Sequence, residues 1–437
     1  MRSIKAYGSR IADFLTRKLR LDVRFYGRSA SWLTIAQASA VVRGIATTFL
    51  MARWLAPETL GQFRYVLAIF GLAGIFSMSG MNYAIIRGVS KGDTDVVRPA
   101  LKRILFIAPL GVILLLLAAG ERYLHGEAGV ALGLVMAAIA YAPYNVVGTY
   151  GQILTGQQKI RELSIVAILN NLIFAVAFFT VLVGHRGLLA ITIAYFGFDI
   201  LLRGSLTIRE LLRMKVAGSA TAHLSLGNNM SAISVMQTIG WQLNQILVQR
   251  FFGYASLASF SVATVIPEQI KQTFNNLSGI FLQRLSRHER TEARLQATRR
   301  HYWISFWIAL GIVLSYAAVA PIILPWFFPA YPDSVLPSIV YAIGLIGLTG
   351  TVGVNFLQSH NEEMKPLWTY YVINTVLQFT TSFALVPFFG AWGATWGQTI
   401  TRIGSLPWTY PRFGKGKNDV PPTDSTISAE ALPVQGS

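Results

Sequence analysis

Long apolar runs, separated by short polar segments rich in Lys and Arg, set the rhythm of the chain. Twelve of them are long enough to cross about 30 Å of hydrocarbon at about 1.5 Å per residue. They cover 32–52, 60–86, 102–120, 128–154, 163–184 and 187–205, then 227–249, 255–283, 302–328, 334–358, 366–387 and 390–409. The pattern predicts an all-α polytopic membrane protein of about twelve transmembrane helices, arranged as two six-helix lobes. Two runs stand apart: 187–205 is interrupted by Asp199, and 227–249 is rich in Asn and Gln. Before the first run, Ile4, Ile11, Phe14, Leu15, Leu19 and Leu21 alternate with basic residues. That spacing predicts an amphipathic helix lying on the membrane surface over 1–31. No apolar run followed by a cleavage site is evident there, so no signal peptide is expected. The remaining organisation follows: an N-lobe over 32–205, a cytoplasmic linker over 206–226, a C-lobe over 227–409, and a polar, disordered cytoplasmic tail over 410–437.

Composition and charge sharpen this picture. Of 437 residues, 53% are hydrophobic and 13% charged, against about 25% charged in soluble domains. A formal charge of +18 would suggest nucleic acid in a soluble protein, but here the basic residues lie between the apolar runs. With the N-terminus inside, 30 of the 37 Lys and Arg fall on the inner side, and only Arg53, Arg122, Arg186 and Arg250 on the outer. This bias places both termini in the cytoplasm, so no nucleic-acid partner is expected. There is no cysteine, which excludes disulfides, thiolate metal sites and cysteine nucleophiles. The two halves look related: an offset of 197 residues superposes Arg53 on Arg250, Leu60 on Leu257, Phe63 on Phe260 and Arg87 on Arg284. Six spans per half would make these parallel repeats, as in many transporters.

Three cations lie inside the runs: Arg43, Arg64 and Lys271. A charge at the centre of a span costs about 3 kcal/mol on insertion scales, so it faces a water-filled interior or a partner. Arg suits phosphate through its bidentate fork, and Lys acts as a point charge. The three form a candidate anion site. Other readings stand beside this one. Lys271 has Glu268 three residues before it as a local partner, and Arg64 is near enough to the outer end of its span to reach the headgroups. Arg43 has no acid within a helical turn. Asp199 and Arg203, four residues apart, read as a structural pair, and Arg402 as lining an inner vestibule or reaching the interface. Candidate cavity polar groups are Gln237, Asn244, Gln245, Glu268 and Asn275. Amides in hydrocarbon must meet water or another helix, so this face reads either as a hydrophilic cavity for sugar hydroxyls or as a contact between packed spans. Pro267, Pro321, Pro325 and the glycines at 71, 74 and 80 and at 344, 347, 350 and 353 mark either broken helices or close packing.

Several chemistries are set aside. No phosphate-binding GxxxxGK[ST] occurs, the six histidines lack metal-ligand spacing, and Asp93-Thr94-Asp95 sits in a short loop. No outer loop is long enough for a catalytic domain. The expectation is a non-enzyme with no cofactor.

Four segments carry a resemblance. Leu55-Ala56-Pro57-Glu58-Thr59-Leu60-Gly61-Gln62-Phe63 resembles the "LGPEEFGxF" stretch opening the second span of polysaccharide-export flippases, and Tyr254-Ala255-Ser256-Leu257-Ala258-Ser259-Phe260-Ser261-Val262-Ala263 is similar to its second-lobe counterpart. Ile323-Leu324-Pro325-Trp326-Phe327-Phe328-Pro329-Ala330-Tyr331 resembles their "LPLLFGxxY" segment after the ninth span, and Gly390-Ala391-Trp392-Gly393-Ala394-Thr395 their "YGIxGAA" entry to the last span. Ala258 stands where the family usually has Gly, and Phe328-Pro329 replaces a Gly-containing turn. These O-antigen-type flippases belong to the multidrug/oligosaccharidyl-lipid/polysaccharide exporter superfamily. The resemblance implies two lobes around a central cavity and alternating access, often coupled to a proton or sodium gradient. It further implies a polyprenyl-pyrophosphate-linked glycan as substrate, membrane lipids as surroundings and a bacterial inner membrane as location. Pyrophosphate would meet Arg43 and Lys271, and glycan the amide face. The alternatives are a multidrug/cation antiporter of the same superfamily, which needs an acid in the first lobe, and a membrane glycan polymerase or ligase.

Overall fold

The computed structural model describes residues 23–184, 187–214, 222–285, 292–359 and 364–410. The expected surface helix falls almost wholly outside the described residues, as do the middle of the expected linker and the tail after residue 410.

The described residues form helices α1 (Val23–Trp54), α2 (Pro57–Ala73), α3 (Met81–Ser90), α4 (Val97–Leu124), α5 (Ala128–Val147), α6 (Thr149–Gly156), α7 (Ile160–Gly184) and α8 (Leu188–Arg213) in the first half. The second half holds α9 (Ala222–Leu285), α10 (Glu292–Phe327), α11 (Val335–Ile343), α12 (Thr349–Ser359), α13 (Met364–Gly404) and α14 (Leu406–Thr409). The protein is an all-α, polytopic membrane protein. Outward-facing Phe106, Leu124, Ile322 and Phe388 are among its most exposed large side chains, which suits surfaces that meet acyl chains rather than water.

Among the described residues, ten helical runs are long and apolar enough to cross a membrane, against the twelve expected. The difference lies in His223–Asn275 and Leu367–Thr409, of 53 and 43 residues. Each contains one glycine outside the helical region, Gly253 (φ 79°, ψ −178°) and Gly390 (φ 55°, ψ −126°). At about 20 residues per crossing, each run is long enough for two. The first-half break at Ala56, which precedes Pro57 at the start of α2, superposes on Gly253 under the offset of 197.

The glycine-rich stretches do break helices. A tight turn over Gly74–Phe76 and Met78 at φ 50° separate α2 from α3, and Gly344–Leu348 separates α11 from α12. The prolines behave differently: α9 continues through Pro267, and α10 through Pro321 and Pro325. Neighbouring helices make such freed backbone groups tolerable in a membrane bundle.

The halves meet where α9 packs against α2 and α3 and touches α1, while α1 packs on α7, α5 on α8, and α9 on α13. One end of the bundle carries the basic segments around Lys91, Lys159, Arg209 and Arg299, and is called the basic end below. At the other, far end, two local devices bring the halves together. Gly126 takes φ 80° after α4. Its turn lets the Glu127 N–H reach the Arg122 carbonyl at 3.0 Å, satisfying the helix terminus and fixing Glu127 beside Arg122. The second device is Gly61 in α2. A Cβ there would lie 1.8 Å from the carbonyl oxygen of Tyr254, so only glycine allows these backbones to approach so closely.

Candidate functional site

Two neighbouring chambers lie between the halves. The larger, about 1710 Å³, is lined by Thr34 and Gln37 near the start of α1, Thr155 and Ile160 at the α6–α7 turn, and Tyr370 in α13, so it reaches the basic end. The smaller, about 400 Å³, lies deeper and is lined by Thr47, Thr48, Gln245, Ser261, Thr264 and Gln269 among others. Trp241 and Gln242 of α9 line both.

The far end is sealed. Arg122 is buried. It donates to the Tyr65 hydroxyl at 3.1 Å and to Gln249 at 3.5 Å, and pairs with Glu121 at 2.8 Å and Glu127 at 3.4 Å. The Tyr254 hydroxyl donates to Glu127 across the halves. Phe49 of α1 sits edge-on to Phe327 of α10, with ring centroids 5.3 Å apart. Tyr254→Phe removes one hydrogen bond to a charged acceptor, worth about 1.5–3 kcal/mol. It is expected to raise the population open at the far end by about tenfold or more, seen as faster labelling, from that side, of a single cysteine introduced into the smaller chamber.

Arg43, at mid-span of α1, lines the smaller chamber. Its Nη1 donates to Asn171 Oδ1 at 3.2 Å and lies 3.5 Å from Asp199 Oδ1, while its guanidinium carbon is 3.7 Å from the Phe174 ring centroid. Asp199 is 3% exposed and also pairs with Arg203 at 3.6 Å and accepts from Asn170 at 3.1 Å. The i,i+4 pairing of Asp199 with Arg203 is present, but the acid serves Arg43 as well. Sequence reasoning did not find that counter-ion. The adjacent Asn170 and Asn171 in an otherwise apolar run were the signal that a buried charge needed partners.

Lys271 has the local partner expected of it. Its Nζ lies 2.8 and 2.9 Å from the two Glu268 oxygens and 4.8 Å from the Trp241 ring centroid. Glu268 also accepts from Arg402 at 2.9 Å and from the Tyr341 hydroxyl. Lys271 and Arg402 line the larger chamber, and Glu268 the smaller.

Arg64 turns into the smaller chamber, not toward the headgroups. It donates from Nη2 to Thr48 at 2.7 Å, and its buried Nε has no partner. Among the described residues no carboxylate lies within 4.0 Å of it. Burying a cation without a counter-charge is costly, and an anion arriving in the chamber would relieve that cost.

The amide face divides among three surroundings. Gln237 lines the larger chamber, and Gln245 lines the smaller while donating to Gln242 at 3.0 Å. Asn275 lines the larger chamber and accepts from Thr351 at 3.4 Å. Asn244 corrects the expectation. It is 0% exposed, lines neither chamber and accepts from Ser382 of α13 at 2.6 Å, with Gln378 donating to the same hydroxyl at 3.0 Å. Successive helical positions are rotated by about 100°, so Asn244 and Gln245 point to different neighbours. Ser382→Ala leaves Asn244 short of a partner. It is expected to lower stability by about 1–3 kcal/mol, read as a lower melting temperature with ligand binding in the chambers unchanged.

The walls thus hold five cations (Arg43, Arg64, Arg203, Lys271 and Arg402) against one carboxylate, Glu268, with Asp199 buried behind Arg43 and Arg203, among amides, hydroxyls and one indole shared by both chambers. Such a site suits a multiply charged anion attached to a hydroxyl-rich group.

A family described as "Polysaccharide biosynthesis protein" matches residues 26–279. The chain belongs to this family. The match spans more than half of the sequence and takes in Arg43, Arg64, Asp199, Glu268 and Lys271, whereas Tyr341 and Arg402 lie beyond it. Among solved structures, the fold is similar to that of the lipid II flippase MurJ in an inward closed conformation, with a TM-score of 0.69, 16% identity and 86% of each chain covered. It is also similar to an inward-facing multidrug resistance MATE family transporter of the MOP superfamily, with a TM-score of 0.63, 15% identity, and 87% of this chain and 97% of that one covered. At these identities the likeness is one of fold. No curated protein sequence matches the chain.

Proposed function

We propose that this member of the polysaccharide biosynthesis family is a flippase. It moves a polyprenyl-pyrophosphate-linked oligosaccharide, a repeat unit of O-antigen or exopolysaccharide type, across the bacterial inner membrane by alternating access. One observation carries the reading: a chamber of about 1710 Å³ open toward the basic end adjoins a deeper chamber across Trp241 and Gln242, and cations outnumber carboxylates in their walls. The pyrophosphate sits among these cations, the glycan among the amides and Trp241, and the lipid tail stays in the bilayer.

The orientation comes from the charge bias: the basic end and both termini face the cytoplasm. The moving bodies are the two lobes, 32–205 and 227–409, tied by the linker 206–226, and their far-end contacts break when the chamber opens outward. Movement is driven by a proton or sodium gradient.

The antiporter reading weakens on the geometry around Asp199. The first half has an acid facing α1, as cation binding would need, but Arg43 and Arg203 both lie within 4 Å of it. A glycan polymerase or ligase needs a catalytic domain on the far side, and the described far-end connections are short: 55–56, 125–127 and 328–331. The test is flipping in proteoliposomes with a fluorescent polyprenyl-pyrophosphate oligosaccharide. Purified protein is expected to expose the probe to an impermeant quencher faster than empty liposomes do. Equal rates with and without protein, under every imposed gradient, would defeat the assignment.

A further inference from the structure

Glu268 has a placement that simple charge pairing does not explain. Glu268 lines the smaller chamber, whereas the two cations it bridges, Lys271 of α9 and Arg402 of α13, line the larger one. An anion entering from the basic end therefore reaches the cations through the chamber that the acid does not line. Arg402 also has a buried Nη1 with no partner, a donor left over after Glu268 and Tyr341 have taken Nη2. The same plan recurs in the first half, where Asp199 bridges Arg43 and Arg203.

We propose that Glu268 is the specificity-determining residue of this transporter, an internal competitor that keeps ordinary anionic phospholipids out of the site. The inference rests on the phosphate reading above. In the empty state the carboxylate neutralises one of its two cations, leaving the cluster at a formal charge of +1. A headgroup with one negative charge must displace the carboxylate to reach both cations. That exchange replaces one anion by another and leaves a desolvated acid behind, so it brings no net gain. A pyrophosphate carries at least one further charge and more acceptor oxygens, enough to satisfy the free Nη1 of Arg402 and the excess positive charge together. Discrimination thus arises from a repulsive element set beside the attractive one. Asp199 acts in parallel on Arg43.

The experiment uses the full-length protein in phosphatidylcholine nanodiscs, with and without phosphatidylglycerol, and farnesyl pyrophosphate as the binding probe. The wild type is expected to bind the probe almost equally in both. Glu268→Gln, which keeps size and loses charge, is expected to bind about tenfold tighter in phosphatidylcholine and to lose that gain when phosphatidylglycerol is present. Its flipping rate falls even as binding tightens, because release slows; a merely structural acid would weaken both. Tyr341→Phe, which loosens the carboxylate without removing it, shifts binding in the same direction by less, and stands in if Glu268→Gln fails to fold. Unchanged or weaker probe binding in these variants overturns the role of Glu268. Lys271→Ala separates the two ideas: if it binds the probe as well as the wild type does, the phosphate reading of the site falls, whatever Glu268 does.

Discussion

Arg43→Ala is expected to abolish lipid-linked oligosaccharide flipping while leaving a folded protein. Arg43 stands at mid-span, lines the deeper chamber and is oriented by three contacts from other helices: Asn171, Asp199 and the Phe174 ring. Those contacts hold the guanidinium in place, so little ordering remains to be done when a phosphate arrives. Removing one partner of a desolvated charge pair costs about 2–5 kcal/mol, which corresponds to a loss of roughly one and a half to nearly four orders of magnitude in rate. The fold survives because Asp199 keeps Arg203 at 3.6 Å and Asn170 at 3.1 Å. The measurement is initial flipping rate in proteoliposomes, with elution profile and helical content as folding controls. Arg53→Ala, at the exposed far end of the same helix, is the matched control and should flip normally. Normal flipping by Arg43→Ala would detach the anion site from transport.

Gly61→Val is expected to reverse the direction in which the chamber opens. The closed far end requires α2 and the Tyr254 segment of α9 to touch backbone to backbone, and a Cβ at Gly61 would sit 1.8 Å from the Tyr254 carbonyl oxygen and 2.9 Å from its Cα. Backbone atoms cannot rotate away as a side chain does. The halves must separate there, at the expense of the Tyr254–Glu127 hydrogen bond. Taking a two-state equilibrium from 1:99 to 99:1 needs about 5.5 kcal/mol, and at 1.8 Å the added Cβ and the carbonyl oxygen cannot coexist unless the backbones move apart. The chain has no cysteine, so a single cysteine replacing Thr264 in the smaller chamber reports cleanly. In the Gly61→Val background, an impermeant maleimide should label it from the far side and no longer from the basic side. Gly129→Ala, where a Cβ meets nothing within 4 Å, should leave the labelling unchanged. If Gly61→Val labels like its parent, the far-end contact does not control access.

Much of the fold was legible because crossing a membrane is decided locally. A stretch of about 20 apolar residues has no alternative but a helix with its hydrogen bonds inside the segment. The cations at 43, 64 and 271 were legible as anomalies for the same reason. The sequence ended one run at 249 and began the next at 255, and likewise at 387 and 390, and the two non-helical glycines, Gly253 and Gly390, lie at these breaks although helix runs on both sides of them.

The chain's own residue order determined its class, the approximate limits of its crossings, the charge asymmetry between its two ends, and the spans in which cations had to be accommodated. Tertiary structure alone decided what each of those side chains faces. Arg43 meets an acid 156 residues away, Glu268 is shared with an arginine 134 residues on, Asn244 turns to α13 while its neighbour Gln245 turns to the chamber, and Arg64 points inward instead of toward the headgroups. The reason is geometric. Hydropathy reports how long a helix is and what medium surrounds it, but its rotation about its own axis is set by packing against helices that lie far away along the chain.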